Sequence, residues 1–190
     1  MANVDRPTGF RPVKHLTGAP YNGQFNKYYG DANLFMGDLV IKEAAGQAIG
    51  SGAYPGCGRA AAYGILLGAV VGWEPDPAAL DRLYYATSNT LAVYIADAPD
   101  LIFECQENNA GVAAADVGLN CDIVVAAGST TTGISNMEVD GDTEATTIDE
   151  PLKIMGFVNS PDNDPTLANA KLLVMINQHS YGTEAGTTGI

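Results

Sequence analysis

Short runs of apolar residues that alternate with polar ones constrain the fold of this sequence most. Examples are LAVYIAD (91–97), LIFECQE (101–107) and AKLLVMIN (170–177). A period of two is typical of strands, and these runs end at turn-forming residues in a chain with 22 glycines and 10 prolines. The repeated amphipathic helices of a parallel α/β fold are missing from the sequence.

We therefore predict an all-β fold, an antiparallel β-sandwich or barrel of eight to ten strands, with a jelly roll among the layouts that fit. Helix is confined to short turns, one starting at Asp76-Pro77 and one over 111–120. The pair Asp140-Gly141 is typical of a two-residue hairpin turn. Further strands are predicted at 24–29, 34–42, 63–73, 121–127 and 152–158.

The chain opens on a segment that favours an extended arm over 1–24. Its prolines exclude helix and bias the residues before them toward extended geometry; they are Pro7, Pro12 and Pro20. A β-rich body is predicted from 25 to 180, with a flexible glycine-rich loop at 43–61. The last residues, 181–190, are predicted to form a loose tail.

Charge divides the chain near the same boundary. Residues 1–30 have four basic side chains and one acidic one, a net charge of +3, in a protein whose formal net charge is −13. Residues 31–190 have five basic and twenty-one acidic side chains, a net charge of −16, and none of the basic ones lies between Arg82 and Lys153. Such a body repels phosphates, so nucleic acid is not an expected partner.

Motifs for catalysis, cofactors and metals are lacking. The glycine-rich GSGAYPG (50–56) is not followed by the Gly-Lys-Ser/Thr of a phosphate loop. Two histidines and no CxxC pair are too few for a typical zinc site. The acids of VDGDTE (139–144) begin like a calcium loop, but its sixth position is Ala145 and its twelfth is Pro151. We therefore expect a protein without enzymatic activity, cofactor or metal ion.

Cysteine spacing and hydropathy indicate the cellular compartment in which the chain folds. The three cysteines have no paired spacing, which is unlike a disulfide framework and indicates folding in a reducing cytoplasm; they are Cys57, Cys105 and Cys121. The N-terminus lacks the apolar run of a signal peptide. The longest near-apolar stretch, 60–73, is shorter than the roughly 20 residues of a spanning helix, so no membrane partner is expected.

The predicted arm is both basic and aromatic, and an extended segment cannot bury such side chains on itself. On an acidic partner it would gain aromatic burial and charge complementarity. The partner-binding candidates are Arg6, Phe10, Arg11, Lys14, His15, Tyr21, Phe25 and Lys27. A sister subunit and an acidic shell protein both offer such a surface. The alternative is that these residues form an ordinary first strand of their own domain.

Six stretches spread over nearly the whole chain carry a resemblance to a known family. They are TGFRPVKHLTGAPYNGQ (8–24), LFMGDLV (34–40), LLGAVVGWEPDP (66–77), PDLIFECQEN (99–108), AADVGLNCDIV (114–124) and LLVMINQHSYG (172–182). Together they resemble the capsid cement or decoration proteins of tailed bacteriophages. The resemblance covers the chain to about residue 182.

This resemblance implies a β-rich structural protein that binds the outside of an assembled phage head and reinforces joints between major capsid protein subunits. The implied partners are the major capsid protein and further copies of the chain, with a trimer favoured over a dimer. The implied location is the capsid surface of the virion, after assembly in the host cytoplasm. The resemblance carries over no catalytic residue.

Two other functions compete with this interpretation. A glycan- or receptor-binding β-module on a virion surface would need an exposed aromatic platform. The only tryptophan, Trp73, ends a strand with a buried pattern, which counts against it. A small jelly-roll hydrolase would need clustered histidines as metal ligands, and two are too few for most such sites.

Overall fold

The computed structural model describes residues 3–49, 52–87, 91–108, 110–182 and 185–189, and at 44 and 45 it describes the backbone only. Strand accounts for 44% of the residues and helix for 2%, so the predicted all-β fold is confirmed. The helix is a 3₁₀ turn at Ala114–Asp116, inside the turn predicted over 111–120.

Eleven strands are formed by the described residues. They are β1 (Arg11–His15), β2 (Asn26–Gly30), β3 (Leu39–Ile49), β4 (Gly52–Arg59), β5 (Gly68–Trp73), β6 (Ala92–Ala96), β7 (Leu101–Gln106), β8 (Asn120–Val124), β9 (Glu138–Ala145), β10 (Leu152–Phe157) and β11 (Lys171–Ile176). The clearest alternating runs of the sequence became β6, β7, β10 and β11, with ends within two residues of the prediction.

The strands divide into one open sheet and one barrel. Six form an antiparallel sheet in the order β1-β7-β11-β10-β8-β9. The other five close into a barrel in the order β2-β4-β3-β5-β6, where β2 and β4 run parallel and the remaining pairs antiparallel. This layout differs from the eight strands in two sheets of a jelly roll.

The alternation seen in the sequence places one face of the sheet against the barrel. In β11, Leu172, Val174 and Ile176 are buried, whereas the residues between them are half-buried. They belong to a large apolar cluster that also includes Leu39 and Ala69 of the barrel wall. A second cluster fills the barrel interior, so the two cores share the barrel wall; it includes Tyr28, Val40, Leu67, Tyr85 and Ile95.

The segment predicted as an extended arm is part of this fold, which corrects the prediction for 1–24. β1 pairs with β7 through Arg11↔Glu104 and His15↔Leu101. The chain then turns back, and the Tyr21 N–H donates to the Val13 carbonyl at 3.0 Å. The proline at position 12 is tolerated because β1 is an edge strand of the sheet.

Over 43–49 and 52–61 the predicted loop is not observed, because β3 and β4 pair along most of these residues, including Glu43↔Gly56 and Ala48↔Ala53. Residues 50 and 51 lie outside the described residues. The stretch is rich in alanine and glycine, so its two faces do not differ in hydrophobicity. The pairing of β3 with β4 could therefore not be predicted from the sequence pattern. The predicted hairpin turn at Asp140-Gly141 is also wrong, since both residues lie within β9. Asn108 holds them there, donating to the Asp140 carboxylate at 3.1 Å and accepting from the Gly141 N–H at 3.0 Å.

The tail predicted to be loose over 181–190 is hydrogen-bonded to the body at 187–189, and 183, 184 and 190 lie outside the described residues. The Thr187 carbonyl accepts a hydrogen bond from the Asn120 side chain at 2.6 Å, and the Thr188 carbonyl accepts one from Lys153 at 2.8 Å. The Gly189 N–H donates to the Thr146 carbonyl. Among the described residues, no helix is long and apolar enough to cross a membrane.

Candidate functional site

The structure removes Phe10 from the set of partner-binding candidates. Its side chain is 0% exposed and lies in the core between sheet and barrel. The Phe10 N–H donates to the Gly37 carbonyl at 2.8 Å, which fixes the backbone beside the barrel. A ring already enclosed by its own domain cannot contact a partner in this fold, so the prediction for Phe10 was wrong.

Three of the remaining candidates form a basic edge on and beside β1: Arg6, Arg11 and Lys14. Their side chains make no ion pair or hydrogen bond within the part of the chain that the structure describes. Arg6 and Arg11 are exposed and line a cavity of about 500 Å³. Lys27, Arg59, Arg82 and Lys171 are each paired with a carboxylate of the chain. The basic edge therefore concentrates cations that have no acidic partner here.

His15 and Tyr21 are half-buried and already have partners in the chain. The His15 Nδ1 atom lies 3.0 Å from an Asp100 carboxylate oxygen, and this hydrogen bond raises the pKa of His15. The Tyr21 hydroxyl donates to the Gln24 carbonyl at 2.7 Å. Both side chains therefore fasten the segment after β1 to the body.

Phe25 and Lys27 lie at the other end of the candidate set, beside the barrel. The Phe25 ring is 45% exposed and stacks on Tyr94 with ring centroids 4.4 Å apart and planes 16° apart. The Lys27 ammonium lies 2.6 Å from a Glu74 carboxylate oxygen and 5.6 Å from the Tyr94 ring centroid. The pairing with Glu74 raises the pKa of Lys27 and lowers that of Glu74.

These two residues border a groove at one mouth of the barrel, which we call the mouth groove. It forms where β2 begins, where β6 ends and where the middle of β4 passes, and its volume is about 840 Å³. The lining residues are Phe25, Asn26, Lys27, Tyr28, Tyr54, Pro55, Asp97, Ala98, Pro99 and Tyr181. Of these, only Phe25 and Lys27 were among the candidates from the sequence, since apart from the neighbouring Asn26 and Tyr28 the others come from distant segments of the chain.

Above the groove, β3 and β4 continue beyond the barrel as a two-stranded ribbon, which we call the outer ribbon and define as 47–49 with 52–54. Its residues pair with each other and with no other described strand. No charged residue occurs between Glu43 and Arg59, in a protein of net charge −13. Gln47, Ala48 and Ala53 are exposed. The outer ribbon is therefore an uncharged surface with open strand edges.

The acidic, histidine and cysteine side chains of the described residues determine what can be said of metal binding and thiol chemistry. No group of three or more histidine, cysteine, aspartate or glutamate side chains among them is placed to hold a metal ion. All three cysteines are free and buried. Burial raises their pKa values, that of Cys57 to about 12, which keeps the thiols protonated and unreactive.

Comparison of the chain with protein-family models, with curated proteins and with solved structures finds no match. The basic edge, the outer ribbon and the mouth groove are therefore interpreted from their own chemistry.

Proposed function

We propose that this protein is a structural component of a phage virion. It binds the outside of the assembled head and stabilises junctions between major capsid protein subunits. The sequence resemblance to cement and decoration proteins supports this proposal, and so does the all-β fold. The partners are the major capsid protein and sister copies of the chain, in a trimer.

The outer ribbon is the observation that carries the proposal. A two-stranded ribbon alone in water is marginally stable, and its open edges are ready to pair with another chain. Proteins commonly protect such edges with charges, yet this ribbon has none. Placed on a capsid subunit, the ribbon would satisfy its free backbone groups and bury Ala48 and Ala53.

The basic edge supplies the second contact. Arg6, Arg11 and Lys14 make no ion pair with an acidic side chain among the described residues. Because exposed charges steer association more than they add affinity, this edge sets orientation and on-rate on an acidic shell. In this proposal it takes the place of the extended arm that was predicted over 1–24.

Stabilisation then follows from mass action. A protein that binds the intact lattice but not the separated subunits raises the stability of the lattice by RT ln(1 + [L]/Kd). At a free concentration 100 times the Kd this is about 2.7 kcal/mol for each site. Many copies on one head multiply the effect.

Binding to purified expanded heads tests the proposal. The double variant A48K/A53E places opposite charges on a directly paired position of the outer ribbon, so the ladder keeps a favourable cross-strand pair. We expect wild type to bind heads saturably and raise their melting temperature. The variant should fold normally, lose about tenfold or more in affinity and leave the heads unprotected.

The matched control is A78K/L80E, which adds the same two charges to exposed positions in the turn after β5. It should bind heads like wild type. The triple variant R6E/R11E/K14E should bind more weakly and with a smaller dependence on salt. Absence of saturable binding by wild type, or equal binding by A48K/A53E, would refute the proposal.

A further inference from the structure

The mouth groove contains exposed aromatic faces that the core does not use. One face of the Phe25 ring is covered by Tyr94, and the stacking at 4.4 Å holds the ring flat, with 45% of the residue exposed. Tyr181 also lines the groove and is 47% exposed. Tyr54 on β4 lines the groove as well and is half-buried. Flat aromatic faces around a groove suit a ligand that itself has flat apolar faces.

At the base of the groove, a fixed polar network surrounds Asp97, which is buried. The Asn26 amide lies 3.0 Å from each Asp97 carboxylate oxygen, and the Tyr28 hydroxyl donates to one of them at 2.6 Å. The Tyr28 and Tyr181 hydroxyl oxygens lie 3.3 Å apart. An ionised carboxylate offers about four lone-pair sites, so these contacts leave one acceptor site of Asp97 for a ligand.

The charged groups in and around the groove are balanced in sign. Lys27 pairs with Glu74 at 2.6 Å, and the Lys42 ammonium lies 4.8 Å from the Tyr181 ring centroid. Asp97 is held by Asn26 and Tyr28. The two basic groups, Lys27 and Lys42, equal the two acidic groups, Glu74 and Asp97, in number, so neither an anionic nor a cationic ligand is favoured, and a neutral polar ligand is.

We propose that the mouth groove binds a neutral oligosaccharide, with pyranose rings stacked on Phe25 and Tyr181 and a sugar hydroxyl donating to Asp97. Aromatic grooves also bind proline-rich peptides. Proline has no N–H, however, so such a peptide offers fewer donors for the carboxylate at the base. Sugar hydroxyls both donate and accept hydrogen bonds, so every ring of an oligosaccharide offers donors for this carboxylate.

Binding of a sugar at the mouth groove does not depend on attachment to heads, so each activity is measured alone. The full chain is titrated with a panel of neutral oligosaccharides, comprising α- and β-linked hexose and N-acetylhexosamine oligomers at millimolar concentration. Chemical-shift changes in NMR spectra and isothermal calorimetry report binding. We expect saturable binding of at least one oligomer.

Substitution tests the location. F25A removes one stacking face and should weaken binding roughly tenfold, the value of one aromatic stack together with its buried area. Y181F keeps the ring but lacks the hydroxyl near Tyr28, so it should bind within a few-fold of wild type. The control Y63N changes an exposed tyrosine that does not line the groove, at a left-handed backbone position that asparagine accepts.

Three outcomes would overturn the proposal. The first is that no oligosaccharide of the panel binds. The second is that F25A and Y63N bind equally well, since the sugar would then sit elsewhere. The third is that a proline-rich peptide binds the groove while every sugar fails, which assigns the groove to a peptide. Circular dichroism of each variant separates loss of binding from loss of fold.

Discussion

Truncation of one buried ring distinguishes a segment that belongs to its own domain from an arm that docks on a neighbour. Phe10 is 0% exposed and packs in the core between sheet and barrel. Replacing a fully buried phenylalanine by alanine costs about 3–5 kcal/mol, from lost transfer free energy and the cavity left behind. Domains of this kind have a free energy of unfolding of about 5–15 kcal/mol, so F10A should lose about a fifth of it or more.

Urea unfolding followed by Trp73 fluorescence measures this loss, and calorimetry should show a melting temperature lower by roughly 10 °C. The matched control is L16A in the same segment, where Leu16 is 54% exposed. It should change the free energy of unfolding by less than about 0.5 kcal/mol. If F10A unfolds at the same urea concentration as wild type, the ring does not contribute to this core and the description of the N-terminal segment is wrong.

Three further predictions concern ionisation and packing. Burial, and then the carboxylates of Asp5 and Glu107, raise the pKa of Glu138 from 4.5 to about 7. The native state therefore keeps a proton that the unfolded chain has released, so stability should fall as pH rises between these values. After allowance for solvent screening the fall is about 1–2 kcal/mol, and E138Q should flatten it in urea titrations across that pH range. In G68A the new Cβ would lie 2.2 Å from the Ala96 carbonyl oxygen, so the β5–β6 pair must shift and unfolding should become easier by about 1–3 kcal/mol; an unchanged urea midpoint would contradict this. A thiol reagent should react in urea but not with the native protein, and rapid native reaction would show that one of the buried thiols is accessible: Cys57, Cys105 or Cys121.

Strands in which one face is more buried than the other could be predicted from the sequence. In β11 the buried residues Leu172, Val174 and Ile176 alternate with half-buried ones, so the period of two is visible in a single segment. In β10 the first residues alternate in the same way, whereas β6 and β7 are buried on both faces except at Tyr94 and Glu104 and were recognised as short apolar runs that end at turn residues. Their predicted ends were within two residues of the observed ones.

Elements that depend on distant partners could not be predicted. The outer ribbon has only two large apolar residues, Ile49 and Tyr54, which are too few to show a period of two, so only the β3–β4 ladder defines it. Asp140-Gly141 has the local signature of a turn, but hydrogen bonds to Asn108 hold the pair within a strand. Phe10 follows a proline-punctuated segment, and only the sheet edge and the barrel wall explain its burial.

The candidate surfaces also differ in whether they could be predicted from the sequence. The basic edge could be read from the sequence, because Arg6, Arg11 and Lys14 are close together in an acidic chain. The mouth groove could not, since Tyr28, Asp97 and Tyr181 meet only after the barrel closes and the C-terminal segment reaches it. A search for an aromatic platform focused on tryptophan overlooks tyrosines supplied by separate segments.

The strand order of the six-stranded sheet determines when each strand can find its partner during translation. β1 pairs with β7, about 90 positions later, and β7 also needs β11, near the end of the chain. At roughly 5–20 residues per second, the first strand waits on the order of ten seconds for its neighbour to be translated. A ribosome that stalls before Lys171 leaves β7 and β10 without the strand that joins them, and exposes apolar surface that the finished protein encloses.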